Sequence, residues 1–501
     1  MKQGQRKSLM ESSIGVKVLT AVMVCLSCLP AAAQQDRIDL PDMGASADSV
    51  LSRAEEEEYA KALVRQMRAY DVLVDDPLIA NFFEDMGFRL ASHSDRPDKS
   101  FTFVVMNQDV VNAFAAPGGV IALYSGLILA ADDENEVAGV VAHEIAHVTQ
   151  QHLYRALEQQ KAMTIPMILG MLAIAVAGGG DGQAIAGAVM TGQAAAAQAA
   201  INYTRQNEYE ADRIGISTLS RAGYDPAGMG EFFEKMARIT RAMGEGPSEF
   251  LRTHPVSVSR IAEAENRAAS MPTPETGEGR EFYLAQARLR VLTAKSPDEA
   301  LEWFDHRKGR ADVSEAELDA IDYGRAIALQ QKGEYDNARR ILNHLAERKP
   351  HTVYELQLAE LDLDAGNTGR AIDQLAGLYN TFPGNQAISL YYAEALLKEG
   401  DSEKAREAAD VLRQQLRLHA DDPRLYELFA RSSNIAGDSV RATEAIAESY
   451  YLRGGVHEAA MQLQELAKRD DLDYYQRARI TARITELRLE LARMGEEETE
   501  R

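Results

Sequence analysis

Cysteine is almost missing from this 501-residue chain. Cys25 and Cys28 are the only two, and both lie near its start. They can build neither a disulfide framework nor a set of thiolate metal ligands. Any core must be held by packing, and any metal by histidine and carboxylate. Positive charge is also short, with 54 Lys and Arg against 77 Asp and Glu and a net charge of -23. That balance argues against a general nucleic-acid binder. No apolar run reaches the roughly 20 residues that a membrane-crossing helix needs; residues 18–29 and 163–177 are both too short to span comfortably.

The length points to two or three domains, and a hydrophobic content of 46% can fill their cores. The first 33 residues read as an export signal. Lys2, Arg6, Lys7 and Lys17 precede or flank an apolar run, and Ala31-Ala32-Ala33 forms a small-residue cleavage site. Cleavage after Ala33 and a periplasmic location in a bacterial envelope are expected. A lipoprotein would need acylation at Cys28, with Cys25 standing where an aliphatic residue is usual. Residues 34–50 are a polar, flexible lead-in.

The most informative stretch is HEIAH, with His143, Glu144 and His147. A four-residue spacing puts both imidazoles on one face of a helix, one turn apart, where they can share a Zn²⁺. Glu144 is placed to take a proton from a water there. Val137, Val140, Val141, Ile145 and Val148 would bury the helix, and Gly139 allows a close neighbour. Upstream, Ser52–Leu73 and Leu78–Ser92 carry helical periodicity, and Phe101–Met106 reads as a strand. Asn112–Ala115 can form an edge strand, followed by a Pro117-Gly118-Gly119 turn, a strand Val120–Tyr124 and a helix from Leu127 to Ala131. The acids Asp132, Asp133 and Glu134 suit the start of the next helix.

After HEIAH, Met163–Ala177 and the Ala-rich run to Ile201 read as a helical hairpin packed in the protein, or else as a lid or a surface touching a membrane. Next comes EYEAD. Glu208 can be the third metal ligand, leaving a fourth position to water. Asp212, one turn on, can accept a hydrogen bond from a ligating imidazole and fix its tautomer. A helix Ala227–Met243 follows, then a loop with His254, which could approach the metal, and Arg260, which could anchor that loop or bind a substrate carbonyl.

Beyond a Pro/Gly/acidic linker at residues 271–280 the chain turns helical and repetitive. Gly333, Ala338 and Pro350 recur at the same offsets as Gly366, Ala371 and Pro383, a period of 33. Gly400 with Ala405, Gly437 with Ala442 and Gly455 with Ala460 keep the Gly-to-Ala spacing. Glycine would make the turn and alanine would let paired helices approach, which looks like tetratricopeptide repeats. Ala300, after Ser296-Pro297, marks a degenerate first unit, and Arg477–Met494 a charged capping helix.

HEIAH, EYEAD and NAFAAPGG together resemble the zinc metalloprotease family that includes the CAAX prenyl endopeptidase. The resemblance implies an α+β zincin-type domain, mostly helical with a small sheet, at residues 51–270, and an all-α tetratricopeptide-repeat solenoid at 281–501. It implies one zinc on His143, His147 and Glu208, Glu144 as base and Asp212 in support. His254 in its THP loop would be a transition-state stabiliser or a self-inhibiting fourth ligand. The chain lacks the multiple spans of membrane-embedded relatives, so CAAX substrates are not expected. Instead the resemblance implies quality control of outer-membrane proteins, with unfolded or misassembled envelope polypeptides as substrates. The repeats would dock on the outer-membrane barrel-assembly machinery, and peripheral membrane contact stays open, as does insertion of residues 163–201 in a membrane. Substrate backbone would add as a strand along Asn112–Ala115. The rival expectation is a repeat-based chaperone or scaffold whose metal site is proteolytically silent.

Overall fold

The structure, a computed structural model, describes residues 52–159, 205–243, 249–274 and 277–499. The expected export signal, with Cys25 and Cys28, and the apolar stretch 163–201 lie outside the described residues.

Helix α1 (Arg53–Ala69) starts at Ser52, where the hydroxyl and the Glu55 carboxylate close a capping box. Its apolar stripe, Ala60, Leu63, Val64 and Met67, is buried. It stops short of Leu73, because residues 72–74 leave the helix for the sheet: Val74 N donates to Val105 O at 2.8 Å, and Leu73 bridges Met106. Helix α2 (Pro77–Ser92) is capped by Asp76, with Pro77 at its first position.

Strands β1 (Thr102–Met106), β2 (Ala113–Ala116) and β3 (Val120–Tyr124) form one sheet in the order β1-β3-β2. β3 runs parallel to β1 and antiparallel to β2, so β2 lies at an edge of this sheet. Side chains alternate across it. Val120 and Ala122 pack with α1, whereas Ile121 and Leu123 join the main core. The β2–β3 turn depends on glycine. Gly118 and Gly119 have φ of 75° and 77°, and a Cβ on them would lie 2.3 Å from Glu56 O and 2.1 Å from Ser100 O.

Helix α3 (Ser125–Ala130) starts two residues before the expected Leu127. Helix α4 (Glu134–Thr149) is capped by Asp133, which accepts from Asn135 N at 2.8 Å and Glu136 N at 3.1 Å. It is buried on nearly every side, between the sheet, α2, α6 (Arg205–Arg221) and α7 (Gly228–Met243). Short helices α5 (His152–Gln159), α8 (Glu249–Thr253) and α9 (Val258–Ala268) complete this half.

Helices then follow in antiparallel succession: α10 (Arg280–Thr293), α11 (Pro297–Lys308), α12 (Glu315–Gln331), α13 (Tyr335–Arg348), α14 (Thr352–Asp364), α15 (Thr368–Thr381), α16 (Gln386–Lys398) and α17 (Ser402–Gln415). After them come α18 (Pro423–Ile435), α19 (Ser439–Leu452), α20 (Val456–Leu466) and α21 (Tyr474–Thr499). Gly333, Gly366, Gly400 and Gly437 take positive φ at the turn inside each pair. Ala338, Ala371 and Ala405 are buried where the partner helix approaches, while Ala442 is only half-buried. The last expected turn shifts by one residue. Gly454, not Gly455, has positive φ (85°), and it joins one pair to the next. The final helix is also longer than Arg477–Met494 at both ends.

The repeat half leans on the half that holds the sheet. Arg288 of α10 is buried and donates to Asp76 Oδ2, Gln357 Oε1 and the Tyr391 hydroxyl, each at 2.8 Å. At the far end Arg65 of α1 reaches the Tyr451 hydroxyl at 2.6 Å and Glu490. No helix among the described residues is long and apolar enough to cross a membrane.

Candidate active site

Two glycines let three helices close on one another. Gly139 of α4 faces Met229 of α7, where a Cβ would come within 2.8 Å of the Met229 backbone. Gly215 of α6 faces α4, where a Cβ would lie 3.1 Å from His143 N. Glu208, Asp212 and Gly215 follow helical spacing along one face of α6. The close approach at Gly215 therefore carries both carboxylates to the two histidines. Phe250, buried against Phe232, seats α8 so that His254 enters from a third side.

The six residues singled out from the sequence, His143, Glu144, His147, Glu208, Asp212 and His254, meet at one buried cluster. His143 Nε2 lies 3.0 Å from His147 Nε2, 3.3 Å from His254 Nδ1 and 3.6 Å from Glu208 Oε2. His147 Nε2 is 3.5 Å from Glu208 Oε1. One donor atom from each of His143, His147, Glu208 and His254 falls within 4.8 Å of all the others. Asp212 stands behind the ring of donors, its Oδ1 3.0 Å from His143 Nδ1. A proton on Nδ1 leaves His143 Nε2 with its lone pair toward the cluster centre. His254 Nε2 lies 3.4 Å from Glu144 Oε1.

Arg260 is the anchor of the site. It bonds Asp212 through Nε and Nη2, both at 2.7 Å, and Glu208 through Nη1 at 2.8 Å. The same Nη1 reaches Pro255 O at 2.8 Å, which pins the loop bearing His254. Of the two roles open to Arg260 from the sequence, loop anchor is the one its contacts fill.

Burial pushes the Glu144 carboxyl up, against the pull of His254 and His143. Burial pushes Glu208 up too, but His254, His143 and His147 outweigh it and leave that carboxyl well below the usual range. For Asp212, hydrogen bonds from Arg260 and His143 likewise override burial and lower it. His147 is driven well down, by burial and by neighbouring His143.

The donor set suits zinc: neutral imidazole nitrogens and one carboxylate at close quarters. Charge agrees. Glu144, Glu208 and Asp212 bring three negative charges when ionised, Arg260 returns one positive charge, and a divalent cation balances the rest. Glu208 Oε1 is buried with no hydrogen-bond partner among the described residues, as a ligand atom awaiting a cation would be. A pocket opens beside His147 between β2 and α4, lined by Ala115, Ala116, Gly118, Val148 and Tyr154.

Two neighbours went unnoticed in the sequence. His152 Nδ1 lies 2.7 Å from His147 Nδ1, and His152 Nε2 is 3.2 Å from Glu210 Oε2. His152 lies five residues after His147, and Glu210 lies inside EYEAD. The only signal was that proximity, since their positions fit no single helical face.

A buried helix that offers two histidines and a glutamate, faced by a carboxylate from a second helix and flanked by an edge strand, has the architecture of a metallopeptidase of the zincin class. The pattern of Peptidase family M48 matches residues 80–268, which hold the whole cluster, and that of a tetratricopeptide repeat matches residues 362–432. The chain is 35% identical to the beta-barrel assembly-enhancing protease of Escherichia coli over 94% of its own length and 96% of that protein's. It is 33% identical to the protein of that name in Yersinia pestis, over 90% and 91% of the two chains. With the mitochondrial metalloendopeptidase OMA1 of Saccharomyces cerevisiae it shares 32% identity over 32% of this chain and 44% of the other. The chain belongs to Peptidase family M48 and is a zinc metalloendopeptidase with tetratricopeptide repeats.

Proposed function

We propose that the protein is a periplasmic endopeptidase that degrades misfolded or stalled outer-membrane proteins and assists the assembly of others. The observation that carries the chemistry is the buried cluster itself: His143, His147 and Glu208 around a charge deficit that a divalent ion fills, with Glu144 one residue from the first ligand. Zinc held by these three would supply Lewis-acid polarisation of the scissile carbonyl. Glu144 takes the proton of the attacking water. Asp212 keeps the His143 ring oriented, and Arg260 keeps Asp212 and Glu208 in place.

Strand β2 is an edge beside α4. An extended substrate segment adds to it through main-chain hydrogen bonds, a side chain entering the pocket beside His147. Recognition of backbone favours unfolded polypeptide over folded protein. The names of the Escherichia coli and Yersinia pestis relatives support outer-membrane barrels as the substrate class. The export-type start of the chain supports the compartment. The repeats are the surface that docks on the barrel-assembly machinery.

His254 favours a restrained resting state, because it occupies the cluster from the loop side. The test of the reading is zinc content and casein cleavage by wild type, Glu144→Gln and Glu208→Ala. Wild type should carry one zinc and cleave. Glu144→Gln should keep the metal and lose at least about 10²-fold in rate, and Glu208→Ala should lose both. A wild type without zinc, with cleavage unchanged in Glu208→Ala, would leave only a repeat scaffold.

A further inference from the structure

Four histidines are buried among the described residues, and the site as read above accounts for three of them. The fourth, His152, sits behind His147 as Asp212 sits behind His143. Its place depends on a break in the chain. On a continuous helix His152, five residues after His147, would point about 140° away from it. Instead α4 ends at Thr149, and Gln151 adopts a φ of 54°. A left-handed conformation is costly for a residue other than glycine, and it persists only where the surroundings enforce it. The turn swings the His152 ring back onto His147.

The protons along this line can be assigned. Glu210 Oε2 takes a 2.8 Å hydrogen bond from Arg155 Nη2 and lies 3.2 Å from His152 Nε2. An ionised carboxylate only accepts, so the proton there belongs to His152 Nε2. A neutral imidazole carries a single N–H, so His152 Nδ1 presents a lone pair. The 2.7 Å contact with His147 Nδ1 then requires the proton on His147. That leaves the His147 Nε2 lone pair aimed at the cluster, 3.0 Å from His143 Nε2 and 3.5 Å from Glu208 Oε1.

We propose that His152 is a positioning residue, backed by Glu210, that fixes the tautomer and ring plane of His147 for metal binding. The two histidine ligands are thus supported differently. His143 rests directly on a carboxylate, while His147 rests on a carboxylate through an intervening imidazole. The proposal relies on the reading that His143, His147 and Glu208 hold the zinc.

Zinc affinity of the full chain, measured by competition with a fluorescent chelator, tests it without recourse to activity. His152→Leu should weaken zinc binding about 10- to 100-fold, as losses behind a metal-bound histidine do. His152→Asn places an acceptor where Nδ1 was and should recover most of that loss. The zinc-free proteins should melt together. Histidine NMR of the zinc-loaded wild type should find the proton of His147 on Nδ1 and that of His152 on Nε2. Equal affinity in His152→Leu and wild type, the opposite tautomers, or a loss that Asn fails to recover and that follows the melting temperature would each overturn the proposal. Should His152→Leu not fold, Glu210→Ala decides: several-fold weaker binding supports the relay, and unchanged binding refutes it. A wild type that binds no zinc at all would instead sink the ligand assignment.

Discussion

Arg260 grips Asp212 at two points, Nε and Nη2 each 2.7 Å from a carboxylate oxygen, with both side chains out of solvent. The planar fork matches the carboxylate, a geometry that lysine does not reproduce. Removing the cation would leave Asp212 and Glu208 as two buried carboxylates under-compensated by the His143 imidazole they share. Arg260→Met should therefore cost the zinc-free protein about 3–5 kcal/mol. Arg260→Lys should recover little, and adding Asp212→Asn to Arg260→Met should recover part. Urea unfolding of the four proteins measures this; a loss under about 1 kcal/mol, typical of exposed pairs, would contradict it.

The same carboxylates act on His143. Burial alone would lower its pKa, but Asp212 and Glu208 outweigh it and hold the imidazole up to about 9 without metal. A raised pKa of this kind stabilises the folded chain most fully below the ordinary value of about 6.5. That contribution is lost as pH climbs through about 9. The zinc-free protein should thus lose stability across this window while zinc affinity rises, because the ion must displace the proton. Calorimetric zinc titration near neutral pH, in buffers of different ionisation enthalpy, should report about one proton released per zinc. A binding enthalpy that ignores the buffer would contradict the expectation.

What could be read in advance follows from how local each signal is. HEIAH, its apolar stripe and the glycine-marked repeats are periodic over short windows, and they recur as α4 and as the paired helices. Glu208 and Asp212 are legible because EYEAD, downstream of HEIAH, sets them one helical turn apart. Arg260 was noticed, but nothing in its neighbourhood reveals that its charge is committed to α6. His152 escaped because the backbone break at Gln151 destroys the periodicity that would have tied it to His147. The clasp between Arg288 and Asp76 escaped for another reason. Its partners lie on different halves of the chain, and pairing across that distance leaves no pattern in either segment. Gly454 shows the remaining difficulty: with Gly455 beside it, only the backbone angle tells which one turns.

Glycine makes a sharp contrast testable. At Gly215 a Cβ would crowd Met229 Cε at 2.8 Å and the α4 backbone at 3.1 Å. Gly215→Ala should push α6 away from α4, costing about 1–3 kcal/mol and displacing Glu208 and Asp212 from the histidines. Zinc affinity should fall with stability. Gly377, in the middle of α15, has nothing within 4 Å of where its Cβ would be. Gly377→Ala should stabilise by about 0.5–1 kcal/mol and leave zinc binding alone. Thermal melts and chelator competition on both variants check the pair, and equal responses would refute the close-approach argument.

On the proposed reading, His254 sets whether the site rests open or closed. Its Nδ1 is 3.3 Å from both His143 Nε2 and Glu208 Oε2, and its Nε2 is 3.4 Å from Glu144 Oε1. The ring therefore stands where a fourth zinc ligand would stand, between the donor set and the base. Four protein ligands make a closed, structural coordination; hydrolysis needs one position left to water. Arg260 Nη1 ties the loop that carries His254 to the carboxylates through Pro255 O at 2.8 Å, while His254 N and Thr253 Oγ1 both bond back to Phe250 O, at 2.7 Å and 3.1 Å. His254→Ala should bind zinc more weakly than wild type yet cleave casein several-fold faster, because the vacated position admits water. Were the histidine instead a stabiliser of the transition state, the variant would lose kcat with KM and zinc content unchanged, and the latent-enzyme account would have to be given up.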